Sequence, residues 1–280
     1  MKSQPTIMLL LFFILSFLIS WLFWWPGLID PLGIDPVLTG LLGAFGPSIS
    51  AILVIGGFEG KTGLGQLWSK LKQWRVHPKW YLFVLLYQAG LILLTTAIHV
   101  AFGGHFPDYS QPLFLTDYPL PDAAKDIPFV IYIIPVFLQQ TLIGSSMGEE
   151  LGWRGLALPK MQKQWNSLLA SIILGIIWGI WHLPLWLNPD DIRSTIPFWQ
   201  TIVGTVATSI LFTWLYNNTK QSLILALLFH TGINTTALFL ASPEVDPLLT
   251  TAVELVVPLL VILMTGKNLN YDKITTDTTE

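Results

Sequence analysis

Residues 128–157 read PFVIYIIPVFLQQTLIGSSMGEELGWRGLA. The run from Phe129 to Met147 carries no charge, and the whole stretch exceeds the roughly 20 residues that a helix needs to cross about 30 Å of hydrocarbon. Only helices and closed barrels pair every backbone N–H and C=O in that environment, and the short alternating segments of a barrel are missing. The spacing therefore predicts a membrane helix over 128–157, with Glu149, Glu150 and Arg154 carried into it.

The rest of the chain agrees with this reading. Hydrophobic residues make up 52% of the 280 and charged residues 11%, against roughly 25% charged in a soluble domain. Further apolar segments lie at about 7–27, 38–56, 79–102, 167–186, 198–216, 222–240 and 248–265. The expected fold is an all-α polytopic membrane protein with about eight transmembrane helices. The first segment, led by Lys2 and running through Trp21, Phe23, Trp24 and Trp25, is too long for a signal-peptide core and lacks a small-residue cleavage site, so it reads as a retained anchor. A formal charge of -3 without a basic patch argues against a nucleic-acid partner. The absence of cysteine excludes disulfides, thiolate zinc sites and thiol nucleophiles.

Charge placement tests the helix count independently. Lys61, Lys70, Lys72, Arg75, Lys79, Arg154, Lys160, Lys163, Lys220, Lys267 and Lys273 fall on the side of Lys2, whereas the opposite side has Lys125 and Arg193. By the positive-inside tendency both termini are cytoplasmic, in an integral protein of the cell membrane. A single domain over 1–280 is expected, with no internal repeat. Leu67, Leu71 and Trp74 are placed on one face of a short interfacial helix in the basic connection 57–78. Residues 103–127 form an outer loop expected to cover part of a site, and 268–280 a disordered polar tail. Gly46-Pro47 is expected to bend the second span.

Three polar intrusions break the apolar pattern. In the first, Glu149 lies roughly 13 Å inside the end of its helix if Pro159 stops that helix, at ~1.5 Å per residue. Glu150 and Arg154, four apart, face each other as an ion pair and leave Glu149 on a neighbouring face. A helix ending near Ser146 would instead make both acids interfacial. The second intrusion is Trp178 to His182; the third is His230 and Asn234, one turn apart on one face with Gly232 between them. A lone histidine can bond a neighbouring carbonyl, and a lone asparagine can join two helices. Carboxylates, an arginine, two histidines and an asparagine on three apolar helices point instead to joint function.

Without cysteine or a nucleophile-elbow serine, water is the nucleophile to expect. Glu149, together with His182, suits a general base. His230 and Asn234 are placed to donate hydrogen bonds to an oxyanion, and Arg154 to hold Glu150 or neutralise a substrate carboxylate.

Glu149-Glu150-Leu151-Gly152-Trp153-Arg154 resembles the EExxxR signature of the CAAX-protease and bacteriocin-processing family, intramembrane endopeptidases also called the Abi family. Trp178 to His182 occupies the place of its second motif, and His230 to Asn234 matches the third, HxxxN. The similarity covers roughly 128–240 and leaves Gly46-Pro47-Ser48 outside; Trp178 stands where the second motif usually has Phe. The resemblance implies an eight-helix or similar fold and glutamate-dependent peptide-bond hydrolysis. It assigns Glu149 and His182 to water activation, His230 and Asn234 to the oxyanion, and Arg154 to support. The partners it implies are the bilayer and a membrane-proximal peptide or a lipidated, for instance prenylated, protein.

No cofactor is expected. Zinc held by Glu149, His182 and His230 is the nearest variant, although no HExxH pair is present. The competing functional classes are a proton-coupled transporter and a non-catalytic peptide-binding immunity or adaptor protein.

Overall fold

A computed structural model of the chain describes residues 4–25, 33–110, 112–117, 127–189 and 191–271. Helix starts follow side-chain caps written in the sequence. Asp35, Asn166 and Ser222 accept bonds from the backbone N–H groups of Leu38, Leu169 and Leu225 at 3.1, 3.0 and 3.2 Å, and Asp246 accepts from Leu248 N at 2.7 Å. Each such cap contributes about 1 kcal/mol. The helices are α1 (Gln4–Trp24), α2 (Pro36–Ala44), α3 (Gly46–Leu71), α4 (Pro78–Ala101), the short α5 (Leu113–Asp117), α6 (Ile133–Leu142), α7 (Ser145–Gly152), α8 (Leu158–Met161), α9 (Ser167–Trp181), α10 (Leu183–Leu187), α11 (Phe198–Asn218), α12 (Leu223–Leu240), α13 (Pro247–Glu254) and α14 (Val256–Thr265).

Several breaks between these helices trace to proline. Pro47 has no N–H for the Gly43 carbonyl, α2 and α3 meet at a 40° bend, and Ser20 Oγ of α1 donates to that carbonyl at 2.7 Å. Pro258 likewise has nothing to donate to the carbonyl of Glu254, where α13 gives way to α14. Pro184 lies in the first turn of α10, just past the end of α9. Gly60, inside α3, sits at φ 61° and ψ -153°, a conformation that only glycine adopts without strain, and it divides the membrane part of α3 from an interfacial part. On that interfacial part Leu67 is buried, while Trp74 lies beyond the helix end and is exposed, so the expected apolar face extends only to Leu71.

Among the described residues, six helices or helix series are long and apolar enough to cross a membrane alone, and the bent α2–α3 pair makes a seventh. The chain is a polytopic helical membrane protein. The difference from eight lies in α9, only 15 residues long because Trp181 is followed by the break before Pro184. The stretch over 128–157 crosses as one span of 33 residues, Phe129–Met161, but it is not a uniform helix. Pro135 sits harmlessly in the first turn of α6. The interruption comes at Gly144, whose extended backbone (φ -94°, ψ -164°) separates α6 from α7. Pro159 does not stop the helix either, because a π-helical turn over Trp153–Ala157 leads into α8.

Around this span, α7 packs between α3 and α12, α1 lies along α3, α12 along α4, and α9 along α11. Trp153, Trp181, Arg154, Tyr216, Phe212 and Phe229 are fully buried at the centre, whereas leucines such as Leu18, Leu82, Leu86 and Leu263 face outward, as lipid-facing positions do. Of the loop expected over 103–127, residues 112–117 place Phe114 against Phe239, ring centroids 4.8 Å apart, near the end of α12; residues 111 and 118–126 lie outside the described residues. Of the tail over 268–280, residues 268–271 return to α11, with Leu269 buried; residues 272–280 lie outside the described residues. So do Lys2, Lys125 and Lys273 of the charge pattern.

Candidate active site

The site is built by close backbone approach. Gly148 and Gly152 lie four apart on the face of α7 that meets the α2–α3 bend. A Cβ at Gly148 would stand 2.5 Å from the Ala44 carbonyl oxygen, and one at Gly152 2.6 Å from that of Pro47. Small residues at this spacing let membrane helices touch backbone to backbone. Ser48 Oγ closes the contact by donating to the Met147 carbonyl at 2.7 Å. With one face of α7 held on α3, Glu149 and Glu150 turn inward toward α9 and α12.

Both carboxylates are buried, Glu149 at 2% exposure and Glu150 at 0%. Glu149 Oε2 accepts two indole N–H bonds, from Trp178 at 2.7 Å and Trp153 at 3.2 Å. Its Oε1 lies 3.9 Å from His230 Nε2. Glu150 Oε1 accepts from Arg154 Nη1 at 2.9 Å and from His230 Nδ1 at 2.8 Å. The expected Glu150–Arg154 ion pair is therefore formed. The rest of the guanidinium is covered by ring faces, with Phe212 at 3.8 Å and Trp178 at 4.8 Å from its central carbon. Such contacts offset part of the cost of removing a cation from water.

His230 is the hinge of the arrangement. An N–H at Nδ1 directed to the Glu150 carboxylate fixes the ring and turns Nε2 toward Glu149. Gly232 permits this depth by admitting the Val84 carbonyl of α4 against the α12 backbone. One turn on, Asn234 Nδ2 donates to Ser145 Oγ at 2.8 Å, which ties the amide to the first residue of α7. Thr231 Oγ1 is joined to Thr141 Oγ1 at 3.0 Å and Ser146 Oγ at 2.9 Å, locking α12 to α6 and α7.

His182 is placed differently. It is half-buried at the end of α9, its Nδ1 lies 2.9 Å from the Trp178 carbonyl, and its ring packs beside Trp181 with centroids 4.8 Å apart. It forms no hydrogen bond or ion pair with Glu149 among the described residues, and its link to Glu149 runs through Trp178. The structure thus brings Glu149, Glu150, Arg154, Trp178 and His230 into direct contact, sets Asn234 one turn away, and leaves His182 adjacent.

Glu149, His182 and His230 do not converge as a zinc ligand set. Glu149 Oε2 is taken by two indole donors, and His182 makes no direct contact with Glu149 among the described hydrogen bonds and ion pairs. No cluster of three metal-ligating side chains is found among the described residues.

The sequence reading passed over Trp153 as a donor to Glu149, Phe212 as the ring under Arg154, Ser145 and Ser48. The signal for Trp153 was available, since it lies four residues after Glu149 on the same helix face.

Fold and site define a polytopic helical protein with a buried glutamate–histidine centre. Residues 129–236 match the family model described as type II CAAX prenyl endopeptidase Rce1-like. Over 198 residues the chain is 28% identical to a protein of Methanococcus maripaludis named CAAX prenyl protease 2, covering 68% of this chain and 67% of that protein. The chain is thus similar to the Rce1-like CAAX prenyl proteases over this region, and residues 129–236 contain the buried cluster.

Proposed function

We propose that the protein is an intramembrane endopeptidase in which Glu149 activates water against a peptide bond of a membrane-associated or lipidated substrate. The observation that carries this is the asymmetric setting of Glu149, with Oε2 held by Trp153 and Trp178 and Oε1 facing His230 Nε2. Indole donors orient the carboxylate without neutralising it, so Oε1 is left to take a proton from water. The hydroxide oxygen then adds to the scissile carbonyl carbon, and the developing oxyanion is met by the second Asn234 N–H together with the Nε2–H of a doubly protonated His230, whose Nδ1–H stays on Glu150. Collapse breaks the C–N bond, and the proton held by Glu149 passes to the leaving nitrogen. Arg154 and Glu150 keep His230 in register. His182, whose Nδ1 is directed to the Trp178 carbonyl, contributes Nε2 to the same water. No metal takes part in this scheme.

The names of the matched family and of the similar archaeal protein point to prenylated proteins as the substrate class. The clustering of Lys61, Lys70, Lys160, Lys163 and Lys220 at one end of the bundle supports cytoplasmic termini.

The test is hydrolysis of a farnesylated CAAX peptide by purified protein, wild type against Glu149→Gln, with thermal unfolding followed in parallel. Cleavage lost in a variant that unfolds at an unchanged temperature supports the proposal. Undiminished cleavage removes Glu149 as the base. Substrate-driven ion flux in liposomes that survives the substitution points to transport.

A further inference from the structure

A polar cavity lies away from the catalytic cluster, at the end of the bundle where α4 begins and α11 ends. It encloses about 550 Å³, and its walls include Arg75, His77, Lys79, Asn218, Lys220 and Tyr271. Three features separate it from an ordinary basic surface.

Its cations lack acidic partners among the described residues, whereas other lysines at this end are engaged. Lys160 pairs with Glu59 at 2.6 Å and Lys70 donates to the Tyr216 hydroxyl at 2.9 Å, but Arg75, Lys79 and Lys220 form no ion pair among the described residues. No carboxylate lines the cavity among those residues.

The walls are fixed. Asn218 Nδ2 donates to Leu269 O at 3.0 Å while its Oδ1 accepts from Tyr271 N at 3.1 Å, so the C-terminal turn is stapled to α11. Lys79 Nζ lies 5.8 Å from the Tyr271 ring centre and 5.1 Å from that of Trp80. Lys220 and Gln221 hold φ of 56° and 60°, two successive non-glycine residues in the left-handed region. Backbone of this kind persists where the surroundings impose it and is concentrated at functional positions.

The cavity also stands at the membrane boundary. Trp80 and Tyr81 supply the aromatic residues typical of that level, and α4 continues at once into the outward-facing Leu82, Leu85 and Leu86.

We infer that this cavity binds a phosphate-bearing anion, held by Arg75, Lys79 and Lys220, and that its natural source is the headgroup of an anionic phospholipid whose chains run along α4. Basic pockets between membrane helices recognise such headgroups by charge and hydrogen bonding together. The site is independent of the peptidase reading, since none of its residues belongs to the catalytic cluster.

Native mass spectrometry of the full chain in detergent, titrated with phosphatidylglycerol and separately with phosphatidylcholine, tests it. Preferential retention of phosphatidylglycerol is expected, weakened roughly tenfold or more by Lys79→Gln/Lys220→Gln, with phosphatidylcholine adducts unchanged. Arg75→Gln, in an exposed connection, repeats the test with a milder expected loss should the double variant fail to fold. Millimolar inorganic phosphate forms the second arm. Displacement of the lipid by phosphate makes the free anion a sufficient ligand, and persistence of the lipid assigns the site to the headgroup. Equal retention of the two lipids, or phosphatidylglycerol binding unaffected by the substitutions, overturns the inference.

Discussion

Trp178 gains a function from the indole N–H that a phenyl ring lacks. Its Nε1–H makes the shorter of the two bonds to Glu149 Oε2, and its ring face covers Arg154. Trp178→Phe keeps the aromatic wall and removes the donor. A hydrogen bond to a charged group contributes about 1.5–3 kcal/mol, so kcat on a CAAX peptide should fall roughly ten- to hundredfold with KM little changed. Retained kcat would show that Trp153 alone orients the carboxylate. Glu150 should respond in a different way, because its Oε1 serves Arg154 and His230 at once. Glu150→Gln leaves a buried guanidinium without its counter-ion, and breaking a buried pair costs about 3–5 kcal/mol. Thermal unfolding in detergent should therefore drop well below that of Glu149→Gln. Equal unfolding temperatures would mean that the Phe212 and Trp178 ring faces suffice for Arg154.

The helix that carries both carboxylates shows what sequence patterns can and cannot convey. Hydropathy announced the membrane span over 128–157, and the four-residue spacing announced the Glu150–Arg154 pair, because both are local properties. The interruption at Gly144, the π-turn over Trp153–Ala157 and the passage through Pro159 depend on neighbouring helices. Pro159 has no N–H for the carbonyl of Gly155, and that oxygen accepts from Lys70 Nζ of α3 at 3.3 Å. His182 was paired with Glu149 as a joint base, and the link between them runs through Trp178, whose indole donates to Glu149 and whose carbonyl meets His182 Nδ1, which no spacing within one helix reveals. The Gly148/Gly152 face was legible as a small-residue pair, and its partner, the Gly46-Pro47-Ser48 bend, lay outside the resemblance. Gly152→Val should force α7 off the Pro47 carbonyl, at about 1–3 kcal/mol, lowering the unfolding temperature and displacing Glu149, so that activity falls as well. Gly65→Ala, with nothing within 4 Å of the added Cβ, is the matched control and should be neutral or slightly stabilising. Similar behaviour of the two variants would show that close packing at Gly152 does not hold the site.

Across the whole molecule, the buried centre and the basic cavity belong to different levels of one bundle, and α12 connects those levels. It starts at Leu223, capped by Ser222 close to Lys220 in sequence, and passes His230 and Asn234 before ending at Leu240, a length of roughly 27 Å at ~1.5 Å per residue. Residues just before and just after α12 thus emerge on opposite sides of the membrane. Lys163, which follows the Phe129–Met161 span, is expected on the side of Lys220, and Glu244 on the other. Because the chain has no cysteine, a single introduced thiol reports its own side without background. With cytoplasmic termini, Glu244→Cys should react with a membrane-impermeant maleimide in intact cells, and Lys163→Cys only after permeabilisation. The reverse pattern would invert the protein. The carboxylates, which lie nearer the Lys163 end of their span than its other end, would then be approached from outside, and a peptide delivered from the cytoplasm would have to pass more than half of that span before meeting Glu149.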